Sequence, residues 1–271
     1  MLRELPARTR QAVRERDLLL HAAAVTFYAA LAVVPLLLVV GKLASLIVGR
    51  ERLLELAAST GQALPDALGA DRVATGLLVH AVDLGWIGLL VAILPASLYG
   101  EGLRRAYGSL ADVREQLPGQ RGRLAVLPLL VVAPVLLLAV LAVTPLLNEL
   151  FSRGAGPTAL GIYVALNVDW LAISVPLIWS FRVVAPDPPP WRAAVVGGLA
   201  TGAFVAGFLQ GFVLFLTLPI DLGAPFAGLV GVGAATAVLL WMWLLHIVVL
   251  VGYVATRRAV RLRQMPVVER G

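Results

Sequence analysis

The chain has 271 residues, is 60% hydrophobic and has a mean hydropathy of +0.90. That leaves too little charge to cover a soluble domain of this size, whereas hydrocarbon solvates helices that are apolar all round. The formal charge of +6 does not point to nucleic acid, because the arginines flank apolar runs, where they set topology and meet lipid headgroups.

Cysteine is absent, which excludes disulfides, thiolate catalysis, cysteine-ligated zinc and iron–sulfur clusters. His21, His80 and His246 are far apart, and no HExxH or HxHxDH constellation offers a metal ligand set. Walker A, GxGxxG and GxSxG sequences are also missing, so no cofactor and no catalytic role are expected. Lysine occurs once, at Lys42.

Residues 1–17 are polar and basic. The apolar run at 18–48 is too long for the core of a signal peptide and reads as a retained first span, longer than the roughly 20 residues that cross the hydrocarbon. Pro35 inside it favours a kink. Residues 50–80 mix leucines with Glu51, Glu55, Asp66, Asp71 and Arg72. This pattern predicts one or two amphipathic helices lying on the membrane, interrupted near Gly61 and Pro65.

Further spans are expected at about 83–103, 124–148, 159–181, 193–217 and 226–255, followed by a basic tail over 257–271. The fold class is therefore an all-α integral membrane protein with six transmembrane helices. Alternate loops carry seventeen of the 22 Lys and Arg residues, which predicts both termini in the cytoplasm of a bacterial inner membrane. Neither an internal repeat nor a separate soluble domain is visible.

Three stretches carry a family resemblance. They are HAAAVTFYAALAVVPLLLVV at 21–40, SLYGEGLRRAYG at 97–108, and the run from PWRAAVVGGLATGAFVAGFLQGFVLF at 190 through APFAGLVGVGAATAVLLWMWLLHIVVLVG, ending at Gly252. Together they resemble the YihY/BrkB family of bacterial inner-membrane proteins over nearly the whole chain. The most specific pieces are Ala23–Tyr28 before Pro35, Pro-Trp-Arg at 190–192 and Leu-Leu-Trp at 239–241.

The chain departs from that family in three places. Gly252-Tyr253-Val254-Ala255 stands where members often end with Gly-Ala-Glu-Leu, so the acid is missing. Pro225-Phe226-Ala227-Gly228 replaces a frequent Tyr-Gly, and an Asn common after the second span is replaced near Arg104 and Arg105. The resemblance implies a six-helix inner-membrane protein. It makes export or flipping of lipid-like molecules an expectation, while the ribonuclease label carried by some members conflicts with the missing metal ligands.

Ionisable groups inside spans are costly and mark candidate sites. Asp17, His21 and Tyr28 share a face of the first helix; Glu101, Arg104, Arg105 and Tyr107 end the second; Arg182 follows Trp179; His246 and Tyr253 share a face of the sixth. Tyr28, His21, Arg104, Arg105, Arg182 and His246 could together bind an anionic headgroup, since the planar guanidinium donates two bonds to phosphate. Equally ordinary roles for these groups are snorkelling arginines and an aromatic belt. Asp169, beside Asn167 and near mid-membrane, could carry a coupling proton or could cap or bridge to Asn148 nearer the outer surface; Glu101 and Pro35 are further candidates for coupling or gating. Glycines at 198/202 and 207/211 form small-xxx-small steps that suit close helix packing.

The expected function is a transporter or flippase for an amphipathic, anionic substrate. The alternative is a non-catalytic scaffold that binds membrane lipids or envelope proteins. The two differ in geometry: transport expects Asp169, His246, Arg104 and Arg182 to line one cavity, and a scaffold expects each to have its own partner.

Overall fold

A computed structural model describes residues 17–61, 70–151, 155–216, 218 and 220–264. Among them the regular structure is helical: α1 (Leu18–Val48), α2 (Arg50–Gly61), α3 (Ala70–Asp83), α4 (Trp86–Ala111), α5 (Pro118–Phe151), α6 (Ala155–Trp179), α7 (Trp191–Leu216) and α8 (Val230–Gln264). A π-helical turn, Ser180–Val184, extends α6, and a short 3-10 turn, Ala224–Phe226, precedes α8. Helices α1, α4, α5, α6, α7 and α8 are each long and apolar enough to cross a membrane.

The six spans pack as a ring. Chain neighbours α4–α5, α5–α6, α6–α7 and α7–α8 touch, and α1 closes the circle by packing on both α8 and α4. The main core lies at the end where the arginines gather, called here the basic end. Leu18, Ala22 and Val25 recur on one face of α1 and pack with Leu103 and Leu110 of α4, Phe181 of the π turn and Leu250 of α8. On the outside, Ile87, Leu90 and Leu94 of α4, Val131 and Val135 of α5, and Val196 and Phe204 of α7 are exposed, as suits surfaces that face lipid.

Small residues set the closest approaches. A Cβ at Gly100 would lie 2.3 Å from the carbonyl oxygen of Gly122, and one at Gly122 would lie 2.4 Å from that of Gly100, so α4 and α5 touch backbone to backbone. Of the two glycine steps expected in α7, Gly198 and Gly202 are pressed against Ile178 and Ser174 of α6, but nothing lies within 4 Å of a Cβ at Gly207. At Gly211 a Cβ would stand 3.7 Å from Trp241, an ordinary contact, so the second step is not a close approach of helices.

The segment between the first two spans forms two helices, as its pattern predicts; Pro65 lies outside the described residues. Leu53, Leu56 and Ala57 bury one face of α2, and Leu53 and Leu56 pack beside Ala44 of α1, Val82 of α3 and Leu141 of α5. The Lys42 ammonium donates to the Val82 carbonyl at 2.8 Å, satisfying an end carbonyl of α3. Gly49, with φ 85°, lets the chain turn from α1 into α2. α1 runs unbroken through Pro35.

Several helices outrun the expected spans: α4 continues to Ala111, α5 begins at Pro118 and α8 reaches Gln264. Hydropathy marks only the part in hydrocarbon. The helical hydrogen bonds continue wherever polar residues such as Arg104, Arg121 and Arg261 are compatible with them.

Candidate functional site

The basic end is built from buried ion pairs. Arg104, 9% exposed, faces inward from the last turns of α4. Its Nε donates to Oε2 of Glu115 and its Nη2 to Oε1, both at 2.7 Å, while Nη1 donates to the Val184 carbonyl at 2.7 Å. Helix ends leave carbonyls without partners, and here a guanidinium from another helix supplies one. Arg121 adds a longer contact to Glu115, 3.3 Å. With the Arg104 guanidinium hydrogen-bonded to it, the Glu115 carboxyl titrates below its ordinary value despite partial burial.

A second carboxylate, Glu101, is 7% exposed and accepts from Arg105 of its own helix at 2.9 Å and from Arg123 of α5 at 2.7 Å. Gly119 gives it room, since a Cβ there would lie 2.8 Å from Glu101 Oε1. The third acid is Asp187, in the proline-rich connector. It pairs with Arg257 of α8 and stands 3.6 Å from Arg261.

Aromatic rings fill the space these pairs surround. Tyr107, Phe181 and Tyr253 are each 0% exposed, with ring centroids 4.2 Å apart for the two tyrosines and 5.7–6.1 Å from Phe181 to each of them. Tyr107 and Ser180 hydroxyls are 3.1 Å apart, and Tyr253 donates to the Asp187 carbonyl at 3.0 Å. Two spans, α4 and α8, and the π turn thus converge on an apolar stopper with satisfied hydroxyls. π turns recur at functional sites; this one presents Phe181 to the stopper and the Val184 carbonyl to Arg104.

His246 lies deeper, 6% exposed, between α1 and α4. The Thr26 hydroxyl donates to the Ala22 carbonyl at 2.8 Å, which leaves its oxygen to accept from His246 Nδ1 at 3.0 Å. His246 Nε2 can then accept from the Tyr99 hydroxyl at 3.2 Å. One histidine therefore joins three helices by hydrogen bonds.

The other sequence candidates are dispersed. His21 Nε2 meets the Ser109 hydroxyl at 2.8 Å, and Tyr28 packs against Gly102. The Arg182 guanidinium lies 5.3 Å from the Trp191 ring centroid, and its buried Nε has no hydrogen-bond partner among the described residues. Asp169 is half-buried on α6 in a separate cavity of about 300 Å³, lined also by Asn167, Trp170 and Gln210. Its carboxylate has no hydrogen bond or ion pair among the described residues. Asn148, the bridge considered for it, has no described side chain.

Of Asp169, His246, Arg104 and Arg182, Asp169 alone lines one of the three cavities formed by the described residues at 110–112 and 254–261, between α7 and α8, and beside Asn167. Sequence reasoning picked out Arg104 but missed its partner Glu115, and it missed Asp187. Asp187 is the single acid of its arginine-flanked connector, and that isolation was the available signal; Glu115 shares its short turn with Asp112, and nothing in the sequence set it apart. The described residues contain no group of three or more His, Asp or Glu placed to hold a metal ion.

Fold and site define a six-helix integral membrane protein with an ion-paired, aromatic-filled basic end. The sequence profile of the family described as Virulence factor BrkB matches residues 9–267, nearly the whole chain, and the chain belongs to that family. Comparisons with curated proteins and with solved structures gave no match.

Proposed function

We propose that this chain is a non-catalytic scaffold of the bacterial cytoplasmic membrane, with both termini in the cytoplasm, that binds anionic lipids or envelope proteins. The observation that carries this reading is the private pairing of the buried charges. Arg104 is held by Glu115 and the Val184 carbonyl, Glu101 by Arg105 and Arg123, and His246 by Thr26 and Tyr99. A substrate phosphate would have to displace Glu115 from Arg104, exchanging one bidentate pair for another. The orientation follows from the excess of arginine at the basic end.

Transport of an anionic amphiphile is the second reading. Asp169 favours it, as a carboxylate in a spanning helix with no partner among the described residues, beside an open cavity. In that reading the Arg104–Glu115 pair and the aromatic stopper form a closed gate.

Transbilayer movement of fluorescent phospholipid separates the two. Proteoliposomes of the folded chain, with and without a proton gradient, should match protein-free liposomes if the scaffold reading holds. Movement above that level, lost in Asp169→Asn, would establish transport instead.

A further inference from the structure

We propose that a crevice between α7 and α8 at the basic end holds one anionic phospholipid of the adjoining leaflet, with its phosphate between Arg192 and Arg263 and an acyl chain in the slot between the helices. None of the candidate binding or coupling residues read from the sequence lines this crevice, although Pro190, Trp191 and Arg192, which carry part of the family resemblance, do. The site would serve a closed scaffold and a transporter alike, so lipid binding and lipid movement are separate tests.

The crevice has a volume of about 780 Å³, in the range of sites for sizeable organic ligands. Its walls are one face of each helix. Ala193, Val196 and Ala200 come from α7, Ala255 and Ala259 from α8, and their small side chains leave the slot between the helix axes. Two reciprocal contacts join the helices. Thr256 sits where a Cβ on Gly197 would be, and Thr201 where a Cβ on Gly252 would be. Each hydroxyl donates to the carbonyl of the glycine four residues earlier on its own helix, at 2.7 Å, so no free donor faces the slot from these threonines.

The charge at the mouth selects the occupant. Arg192 and Arg263 are both exposed, and neither makes a hydrogen bond or ion pair among the described residues. Among the described residues, no acidic side chain lines the crevice. Asp187, the acid of the adjoining connector, is engaged by Arg257 and Arg261. Trp191, 52% exposed and covered on one side by Arg182, stands at the same level, where an indole suits the boundary between headgroup and hydrocarbon. Val196 is 68% exposed along the slot, so the opening faces the bilayer. A free phosphate would engage only the mouth; an amphiphile matches both the arginines and the apolar slot.

The test is native mass spectrometry of the full chain in mild detergent, titrated with phosphatidylglycerol or phosphatidylcholine. The chain should retain one phosphatidylglycerol in preference to phosphatidylcholine. Binding should weaken ~5-fold for Arg192→Gln or Arg263→Gln and ~30-fold for the pair. Ala259→Phe, which fills the slot and leaves both charges, should lose the lipid too. Arg114→Gln, an exposed arginine elsewhere at the basic end, should bind as the parent does. Unchanged binding in the double variant overturns the proposal. So does an equal loss in Arg114→Gln, which would mean a diffuse basic collar. Binding that emerges only after removal of residues 265–271 would assign the crevice to the chain's own end and also overturn it.

Discussion

Arg104 and Glu115 meet through two parallel hydrogen bonds of 2.7 Å across the turn that joins α4 to α5. Asp112, with φ 57°, starts that turn, and the bond from the Val113 amide to the Gly108 carbonyl closes the end of α4. The turn brings an acid eleven residues downstream back onto its own helix. Because the same guanidinium also binds Val184, the pair ties the α4–α5 turn to the end of α6.

Removing one partner of a buried pair leaves an uncompensated charge. Glu115→Gln should lower stability by about 3 kcal/mol. Arg104→Lys should not restore the loss, because an ammonium cannot reproduce the fork that serves two carboxylate oxygens and a carbonyl. Unfolding in detergent, followed by loss of helical signal, measures both.

The same pair predicts a pH dependence. Folding holds the Glu115 pKa below its ordinary value, so the unfolded chain takes up the proton first as pH falls. The stabilisation is complete above about 4.5 and is lost as pH falls below that, through the folded value. Thermal unfolding at pH 6 and pH 3.5 should show a drop in melting temperature that Glu115→Gln reduces.

Gly122→Ala should force α4 and α5 apart, since its Cβ would stand 2.4 Å from the Gly100 carbonyl oxygen. The expected cost is about 1–3 kcal/mol. Gly207→Ala is the control. Nothing lies within 4 Å of its Cβ, so it should be neutral or stabilising by roughly 0.5 kcal/mol. The same unfolding measurement reads both.

Six spans and the surface helices were legible because a long apolar run has few other uses than crossing a bilayer. The helical extensions into the basic end were not legible. Partnerships were harder to read. Nothing in the order of residues says that Arg104 turns to Glu115, or that Arg182 lies over Trp191. Those pairings depend on a left-handed turn at Asp112 and on a π turn before a proline-rich connector. Of the two glycine steps in α7, sequence alone could not separate the packed Gly198/Gly202 from the unpacked Gly207.

Tyr99→Phe isolates the deep histidine. It removes the hydroxyl 3.2 Å from His246 Nε2 and leaves the Thr26 bond in place. The expected loss is about 1 kcal/mol. A transport role for this chain of hydrogen bonds would show instead as altered movement of lipid with unchanged stability.

The central claim is that the ring of spans is closed at the basic end and filled around His246. The chain has no cysteine, so single cysteines can be read against a silent background. Reaction with a membrane-impermeant thiol reagent, applied to either side of sealed vesicles, tests the claim directly. Leu117→Cys, in the exposed turn before α5, should react from one side only, and Thr26→Cys, beside His246, should react from neither. Reaction at Thr26→Cys in folded protein would reveal a water path through the stopper of Tyr107, Phe181 and Tyr253 and would contradict the account.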